Sequence, residues 1–296
     1  MTKFIIGLLT IWSVSHVTKF RGVLSSSANI NASVFQGSAV DPPLFVLNGY
    51  DLKPTFAENF IDKYADDTYL IVSSNNEGSI PNELLAIEQW ATENNLLLNK
   101  KKSMEMIFYS SEKKKTISPP VSPLTDIVRV DSMKVLGVTL QNNLSMKAHV
   151  TEVCHSAAQS LYALKLLKSH GLDTQTIYTV CRTTVASRLT YAAPAWWGFA
   201  TADDKEKLQS VINRAIRWGF YDKSYPSVAE IIAKRESDLF AAVLMNKYHV
   251  LHFYLPPVKT HTINLRERRH NRQLPSKTNS HVSKNFIHRM LYKDIY

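Results

Sequence analysis

The sequence predicts an α+β protein: a mixed half of short strands and helices, then an all-helical half, then a basic tail. Three observations carry this. Short β-prone runs bounded by turn residues crowd the first half. From Ser145 on, apolar residues recur at the 3.6-residue spacing of helices. From Val258 to Tyr296 there are nine Lys/Arg against two acids, a balance of +7. These divide the chain into an uncertain apolar segment (1–21), a mixed region (22–143), a helical region (144–257) and a tail expected to be flexible (258–296).

The chain opens on "MTKFIIGLLTIWSVSHV", an apolar run broken at Ser13. It is too short to span a bilayer. No small-x-small cleavage site follows, so it is not read as a signal peptide. Residues 22–51 are rich in Ser and Asn and carry "QGSAVDPPLF" (36–45), a turn-rich loop entering an apolar segment. "FIDKYADDTYLIV" (60–72) reads as two β-runs with adjacent carboxylates, Asp66 and Asp67, where they meet. Inside an apolar, β-forming context the pair fits the tip of a hairpin, where a tight turn lets both project from one end. An Asp-Asp pair alone is more often just a turn.

Leu84, Leu85, Ile87, Ala91 and Leu98 predict a helix preceded by Pro81. "MEMIFYS" (104–110) reads as a strand, "KKKTISPPVSPLTD" as a loop, and "IVRVDSMKVLGVTL" (127–140) as two short strands. Helical stripes follow: Val150 to Leu164, with Gly171 as C-cap; Ile177 to Leu189, with Asp173 as N-cap; Leu208 to Ile216; and Ile231 to Leu244. No internal repeat is present.

The whole chain has 296 residues, 45% of them hydrophobic, and a net charge of +10. That composition argues against wholesale disorder. The two cysteines, Cys154 and Cys181, form no CxxC or Cys/His cluster, which points to a reduced, intracellular protein without structural zinc. The basic tail suits a polyanion such as nucleic acid, or is simply a solvated segment; charge alone leaves both readings open.

Adjacent carboxylates repel and resist ionisation unless a cation lies between them. Oxygen ligands of this kind suit Mg²⁺, and paired ions clamp the oxygens of a phosphoryl transfer. In this light "YADD" (64–67) resembles the catalytic hairpin of reverse transcriptases. "NASVFQGSAVDPPLFVLNGYDL" (31–52) resembles the preceding Q-G-S motif of the polymerases of non-LTR (LINE-type, jockey-like) retrotransposons. "NNLLLNKKKSMEMIFYS" (94–110) is similar to their next motif, and "VLGVTLQNNLSMKAHV" (135–150) to their primer-grip motif, L-G-V-x-L-x-x-x-L-x-x-x-x-H. "YAAPAWWG" (191–198) resembles the tryptophan-bearing thumb segment that follows.

The resemblance implies the second half of a right-hand polymerase palm (an antiparallel sheet plus helices) over 22–143 and a helical thumb over 144–257. The implied activity is RNA-directed DNA polymerisation, with RNA template, DNA primer and dNTP as partners, Mg²⁺ or Mn²⁺ as cofactor and no membrane partner. The implied location is the nucleus or cytoplasm. Asp66 and Asp67 would be catalytic metal ligands, and Lys102 would face the phosphates and help protonate the leaving group. Gln36, Gly37 and Ser38 would line the nucleotide pocket. Tyr64 and Ala65 would lie against the primer end, and Leu136 and Gly137 would turn the primer grip. Trp196 and Trp197 are expected to be core rather than stacking platforms.

Two departures bear on activity. The family's third aspartate lies upstream of the Q-G-S motif, and no Asp or Glu precedes Gln36 here. Asp41 also stands where the motif has glycine; at positive φ it would strain the loop by about 1 kcal/mol. The chain is therefore expected to be inactive by itself, with a non-catalytic nucleic-acid-binding remnant as the alternative.

Overall fold

A computed structural model of the protein describes residues 14–30, 41–109, 124–259, 270–276 and 280–293. The chain divides into two compact units: Met1–Met104 with Pro119–Val128, and Glu105–Ser118 with Arg129–Tyr296.

The first unit begins with short antiparallel pairs. β1 (Val14–His16) pairs with β4 (Ala28–Ile30), and β2 (Lys19–Phe20) with β3 (Val23–Leu24). Helix α1 spans Asp41–Asn48 and takes Pro42 and Pro43 in its first turn, where a missing N–H costs nothing. Asp41 is thus helical rather than at positive φ, so the strain expected of it does not arise. β5 (Phe60–Tyr64) and β6 (Asp67–Ile71) form the expected hairpin, with Phe60 opposite Ile71 and Tyr64 opposite Asp67. Helix α2 spans Ile80–Glu93 with proline in its first turn. It stops short of Leu98 because Asn95 turns left-handed (φ +55°). The Leu96 N–H then donates to Ala91 O (2.7 Å) and the Asn95 N–H to Thr92 O (3.2 Å), a Schellman closure.

Strands β7 (Met104–Glu105) and β8 (Val128–Arg129) follow, then the hairpin β9 (Ser132–Val135) and β10 (Val138–Gln141). Within 127–140 there are three strands where the pattern predicted two. Within 104–109 only Met104–Glu105 is extended ladder. The fold is α+β as expected, and among the described residues the strands make five two-stranded sheets, with antiparallel registers in β1–β4, β2–β3, β5–β6 and β9–β10. Their strands are two to five residues long and β5 is exposed at four of its five positions, so little apolar surface drives further strand addition.

The rest of the second unit is helical: α3 (Lys147–Ser169), α4 (Thr174–Cys181), a π-helical turn (Arg182–Ala186), α5 (Ser187–Leu189), α6 (Ala193–Trp196), α7 (Ala202–Arg217) and α8 (Val228–Met245). The caps are legible. Asp173 Oδ1 accepts from the Thr176 N–H at 2.9 Å. Gly171 (φ +91°) ends α3 and Gly219 (φ +70°) ends α7. Thr201 with Asp204, and Ser227 with Glu230, form capping boxes. The first three predicted stripes and the start of the fourth meet in one core, with Val150, Leu161, Ile177, Leu189, Leu208 and Ile232 each fully buried.

The tail departs from expectation. Residues 280–293 form α9 (Ser280–Lys284) and α10 (Phe286–Tyr292) rather than a flexible segment. Phe286, Ile287, Met290 and Leu291 join Phe240, Val243 and Leu255 in a second core. Arg289 ion-pairs with buried Glu236 of α8 at 2.6 Å and donates from Nη2 to Pro194 O at 3.3 Å. A Cβ on Gly198 would stand 2.5 Å from Arg289 Nε and against the Lys284 carbonyl, so only glycine admits this approach. Charge marked this segment as a tail, but four apolar side chains at helical spacing decide that it folds.

Candidate functional site

In the first unit, the turn of the β5–β6 hairpin is Ala65–Asp66. Ala65 adopts φ +51°, a left-handed conformation that costs a non-glycine residue about 1 kcal/mol. The strain sits beside the carboxylates, where functional turns often store it. Asp66 occupies the tip and Asp67 opens β6; both are exposed, as are Tyr64 and Ala65. Despite the apolar composition of the hairpin, Phe60 and Ile71 are more than half exposed. The Tyr69 hydroxyl donates to Asp67 Oδ2 at 3.3 Å.

Two attachments set this hairpin in place. The first is Lys63, whose Nζ donates to Gly49 O and, at 2.9 Å, to Leu52 O. Burial draws its pKa below the usual lysine range, while Asp51 opposes that and Lys53 adds to it. Asp51 Oδ1 in turn accepts from Trp90 Nε1 of α2 at 2.9 Å. The end of the Q-G-S motif is thereby tied to the Tyr64–Asp67 hairpin and to α2.

The second attachment centres on Glu83, the fully buried acid in the first turn of α2. Its oxygens accept from the Thr55 N–H (2.9 Å), the Phe56 N–H (2.9 Å) and Asn59 Nδ2 (2.8 Å), immediately before β5 begins. Burial pushes the carboxyl upward, but the hydrogen bonds from Thr55, Asn59 and Phe56 outweigh it and hold the pKa below 4.5. Sequence reading missed Glu83. An acid beside an apolar helix start was the available signal, but it reads equally as a surface residue favoured by the helix dipole.

Lys102 lies in an exposed turn, its N–H donating to Asn99 O at 3.0 Å. Lys100 ion-pairs with Glu88 at 2.6 Å, so part of the lysine run is structural. Gln36, Gly37 and Ser38 fall outside the described residues. Among the described residues no group of three or more His, Cys, Asp and Glu side chains is placed to share a metal ion. Asp66 and Asp67 alone do not furnish the ligand set of a two-metal centre.

In the second unit, Leu136 (φ +45°) and Gly137 (φ +84°) form the two-residue turn between β9 and β10. Positive φ at both central residues marks a type I′ turn, whose twist matches the flanking strands. Tyr191 secures it: its hydroxyl donates to Leu136 O at 3.1 Å, and its ring lies 3.1 Å from where a Cβ on Gly137 would stand. Two further motifs, the primer-grip-like and tryptophan-bearing segments, thus meet at one turn.

The histidine that ends the primer-grip-like motif also has a physical role. The Thr139 N–H donates to His149 Nδ1 at 3.3 Å, tying β10 to α3. His149 is buried, edge-on to Trp196 with ring centroids 5.0 Å apart. Burial draws its pKa below 6.5, with Glu152 opposing and Lys134 adding to the shift. Glu152 bridges Lys134 Nζ (2.5 Å) and Thr139 Oγ1 (2.7 Å), clamping both strands to α3. A cleft of about 520 Å³ opens beside this clamp, lined by Lys134, Gly137, Glu152, Thr184, Arg188 and Tyr191 among others. The π-helical turn forms part of its wall, a distortion frequent at functional sites.

Trp196 is core, 1% exposed, with Nε1 donating to Tyr191 O at 2.9 Å; Trp197 is half-buried beneath Lys205. Cys154 and Cys181 are free thiols. No helix among the described residues is long and apolar enough to cross a membrane.

No family model matches the chain, and no solved structure matches it. A curated protein does: the "Probable RNA-directed DNA polymerase from transposon X-element" of Drosophila melanogaster is 24% identical over 217 residues, which is 67% of this chain and 23% of the relative. The chain therefore spans about a quarter of the length of the curated relative it matches. The similarity supports a relationship to the reverse transcriptase of a retrotransposon.

Proposed function

We propose that this chain is a non-LTR retrotransposon reverse-transcriptase segment that holds a primer–template hybrid but does not by itself extend it. The observation that carries this is the meeting of the primer-grip-like turn Leu136–Gly137 with Tyr191 of the tryptophan-bearing segment, two motifs 55 residues apart in sequence. Such an arrangement gives a shaped, held turn beside a cleft whose walls carry Arg188 and the Glu152-paired Lys134, donors that a sugar–phosphate backbone can use. The distant likeness to a transposon polymerase favours the same reading.

In this reading Asp66 and Asp67 are the remaining pair of a nucleotidyl-transfer centre and Lys102 its phosphate-facing cation. Tyr64 and Ala65 approach the primer end, and Gln36, Gly37 and Ser38 approach the nucleotide. Mg²⁺ or Mn²⁺, bound between the carboxylates, would supply Lewis-acid activation of the phosphate. Two carboxylates by themselves hold such an ion weakly, so turnover would call for a further acidic ligand.

The test is primer extension on poly(rA)/oligo(dT) with Mg²⁺ or Mn²⁺ and dTTP, alongside hybrid binding measured by fluorescence anisotropy. Binding without incorporation is the expected result. Incorporation abolished by Asp66→Asn/Asp67→Asn would refute the inactive reading, and absence of hybrid binding would refute the reading altogether.

A further inference from the structure

Among the described residues of the second unit, a run of highly exposed apolar side chains begins at the last residue of α8. Met245 is 87% exposed, Tyr248 82%, Val250 81% and Phe253 86%. Folded proteins seldom leave large apolar side chains this open in a cluster without a binding role. The segment that carries them is firmly built. Residues Val250–Tyr254 form a 3₁₀ turn, whose three-residue repeat brings Val250 and Phe253 onto one side. His249 Nδ1 caps the turn by accepting from the Leu251 N–H at 3.1 Å. His252 Nδ1 is 2.7 Å from Val243 O, and Leu255 is buried in the second core. Phe253 and Tyr254 pack edge-to-face, with centroids 5.7 Å apart. The rings are therefore presented on a rigid support, without being buried by it.

The charge around them decides what could cover them. From Leu239 to Arg266 the chain contains no Asp or Glu. Lys247 stands 5.0 Å over the Tyr248 ring. The chain beyond the turn is clipped back by a bridge between Val258 and Arg272, with the Lys259 N–H donating to Asn271 O at 2.7 Å. Lys259 is exposed at the end of the segment, whereas the Arg272 guanidinium turns back to Pro256 O (3.1 Å) and His252 Nε2 (3.5 Å) and braces the turn. A protein-docking surface has no need to exclude acids, whereas a polyanion does. Exposed aromatic side chains on a stretch of chain that carries Lys247 and Lys259 and no acid are the elements of a single-strand platform: bases stack on the rings and cations follow the phosphates.

We infer that Tyr248 and Phe253 form a stacking platform for single-stranded nucleic acid, distinct from the primer-grip-like turn. The inference rests on the proposed role in nucleic-acid binding and adds a second contact, to unpaired strand rather than hybrid. Stacking reads no base edge, so the platform is tolerant of sequence and discriminates single strand from duplex.

The experiment is anisotropy on the full chain with labelled oligo(rU) and, separately, a labelled RNA–DNA hybrid. Wild type is compared with Tyr248→Ala/Phe253→Ala and with the ring-preserving Tyr248→Phe/Phe253→Tyr. Both positions are exposed, so a matching thermal melt is expected and serves as the folding check. The alanine pair is expected to weaken oligo(rU) binding at least tenfold, since each lost stack costs ~5- to 150-fold. The ring-preserving pair is expected to retain affinity, and hybrid binding and the salt slope of the alanine pair are expected to stay near wild type. Equal oligo(rU) affinity in wild type and the alanine pair overturns the platform while leaving hybrid binding intact. Loss of self-association in the alanine pair with unchanged RNA affinity overturns it too, and identifies a protein contact instead. A wild type that binds neither ligand overturns both this inference and the function it rests on.

Discussion

Glu83→Ala should be among the most damaging single substitutions in the first unit. The side chain is fully buried and accepts three hydrogen bonds, from the Thr55 and Phe56 backbone and from Asn59. Asn59 is itself 4% exposed, so its amide cannot turn to bulk water. Asn59 Nδ2 retains Ser79 Oγ at 3.0 Å, and Thr55 and Phe56 are exposed residues whose N–H groups can turn to water, so each lost bond costs a net ~0.5–1.5 kcal/mol. The three share one loop and are not additive, so a total of about 2–3 kcal/mol is expected. Glu83→Gln keeps one acceptor oxygen and sets an NH₂ against a donor, with an expected cost of about 1–3 kcal/mol.

The pH dependence is a second signature. The folded pKa lies below the unfolded value of 4.5, so the carboxylate's contribution is complete above that pH. It is lost as pH falls through the folded value, because folding then competes with protonation. Glu83→Gln should lack this acid-linked loss. The assay is hydrogen exchange of peptides covering 52–72, with denaturant melts at neutral pH and below 4.5. Amides of the 55–59 loop and of β5 should lose protection together, because the network ends where the strand begins. A Glu83→Ala protein destabilised by less than about 1 kcal/mol, with an unchanged acid branch, would refute the reasoning.

Leu136→Asn should stabilise the second unit by ~0.5–1 kcal/mol, since asparagine tolerates φ +45° better than leucine and Asn-Gly suits a type I′ turn; a lower melting temperature would count against the turn geometry. Gly198→Ala should cost ~1–3 kcal/mol by driving a methyl group against Arg289 and the Lys284 carbonyl. Limited proteolysis of 270–293 should accelerate in that variant, and an unchanged cleavage rate would mean that the helical tail is not packed there. His149, drawn below 6.5 by burial, should titrate below that value by NMR. Stability linked to it is complete above pH 6.5 and falls as pH drops through the folded pKa, when protonation at Nδ1 breaks the bond from the Thr139 N–H. A ring titrating at or above 6.5 would contradict a buried neutral imidazole.

What could be read from the sequence was local. The β-prone runs on either side of "YADD" marked a hairpin with the acids where its strands meet, because turn formation and strand pairing involve neighbours in the chain. The 3.6-residue stripes of the second half placed its helices, and Gly171 and Asp173 marked their ends through backbone conformation and capping chemistry. Positive φ at Gly137 likewise follows from a two-residue turn between strands that pair directly.

Only the tertiary structure decided which distant groups meet. Glu83 reads as a surface acid until the loop before β5 folds over it and supplies three donors from 24 to 28 residues away. Tyr191 becomes the support of the β9–β10 turn across 55 residues. The basic tail acquires helices because α8 offers Phe240 and Val243 to its apolar side chains and Glu236 to Arg289. Local pattern records how each residue bends the backbone, whereas burial and pairing depend on what the rest of the chain brings to the same place.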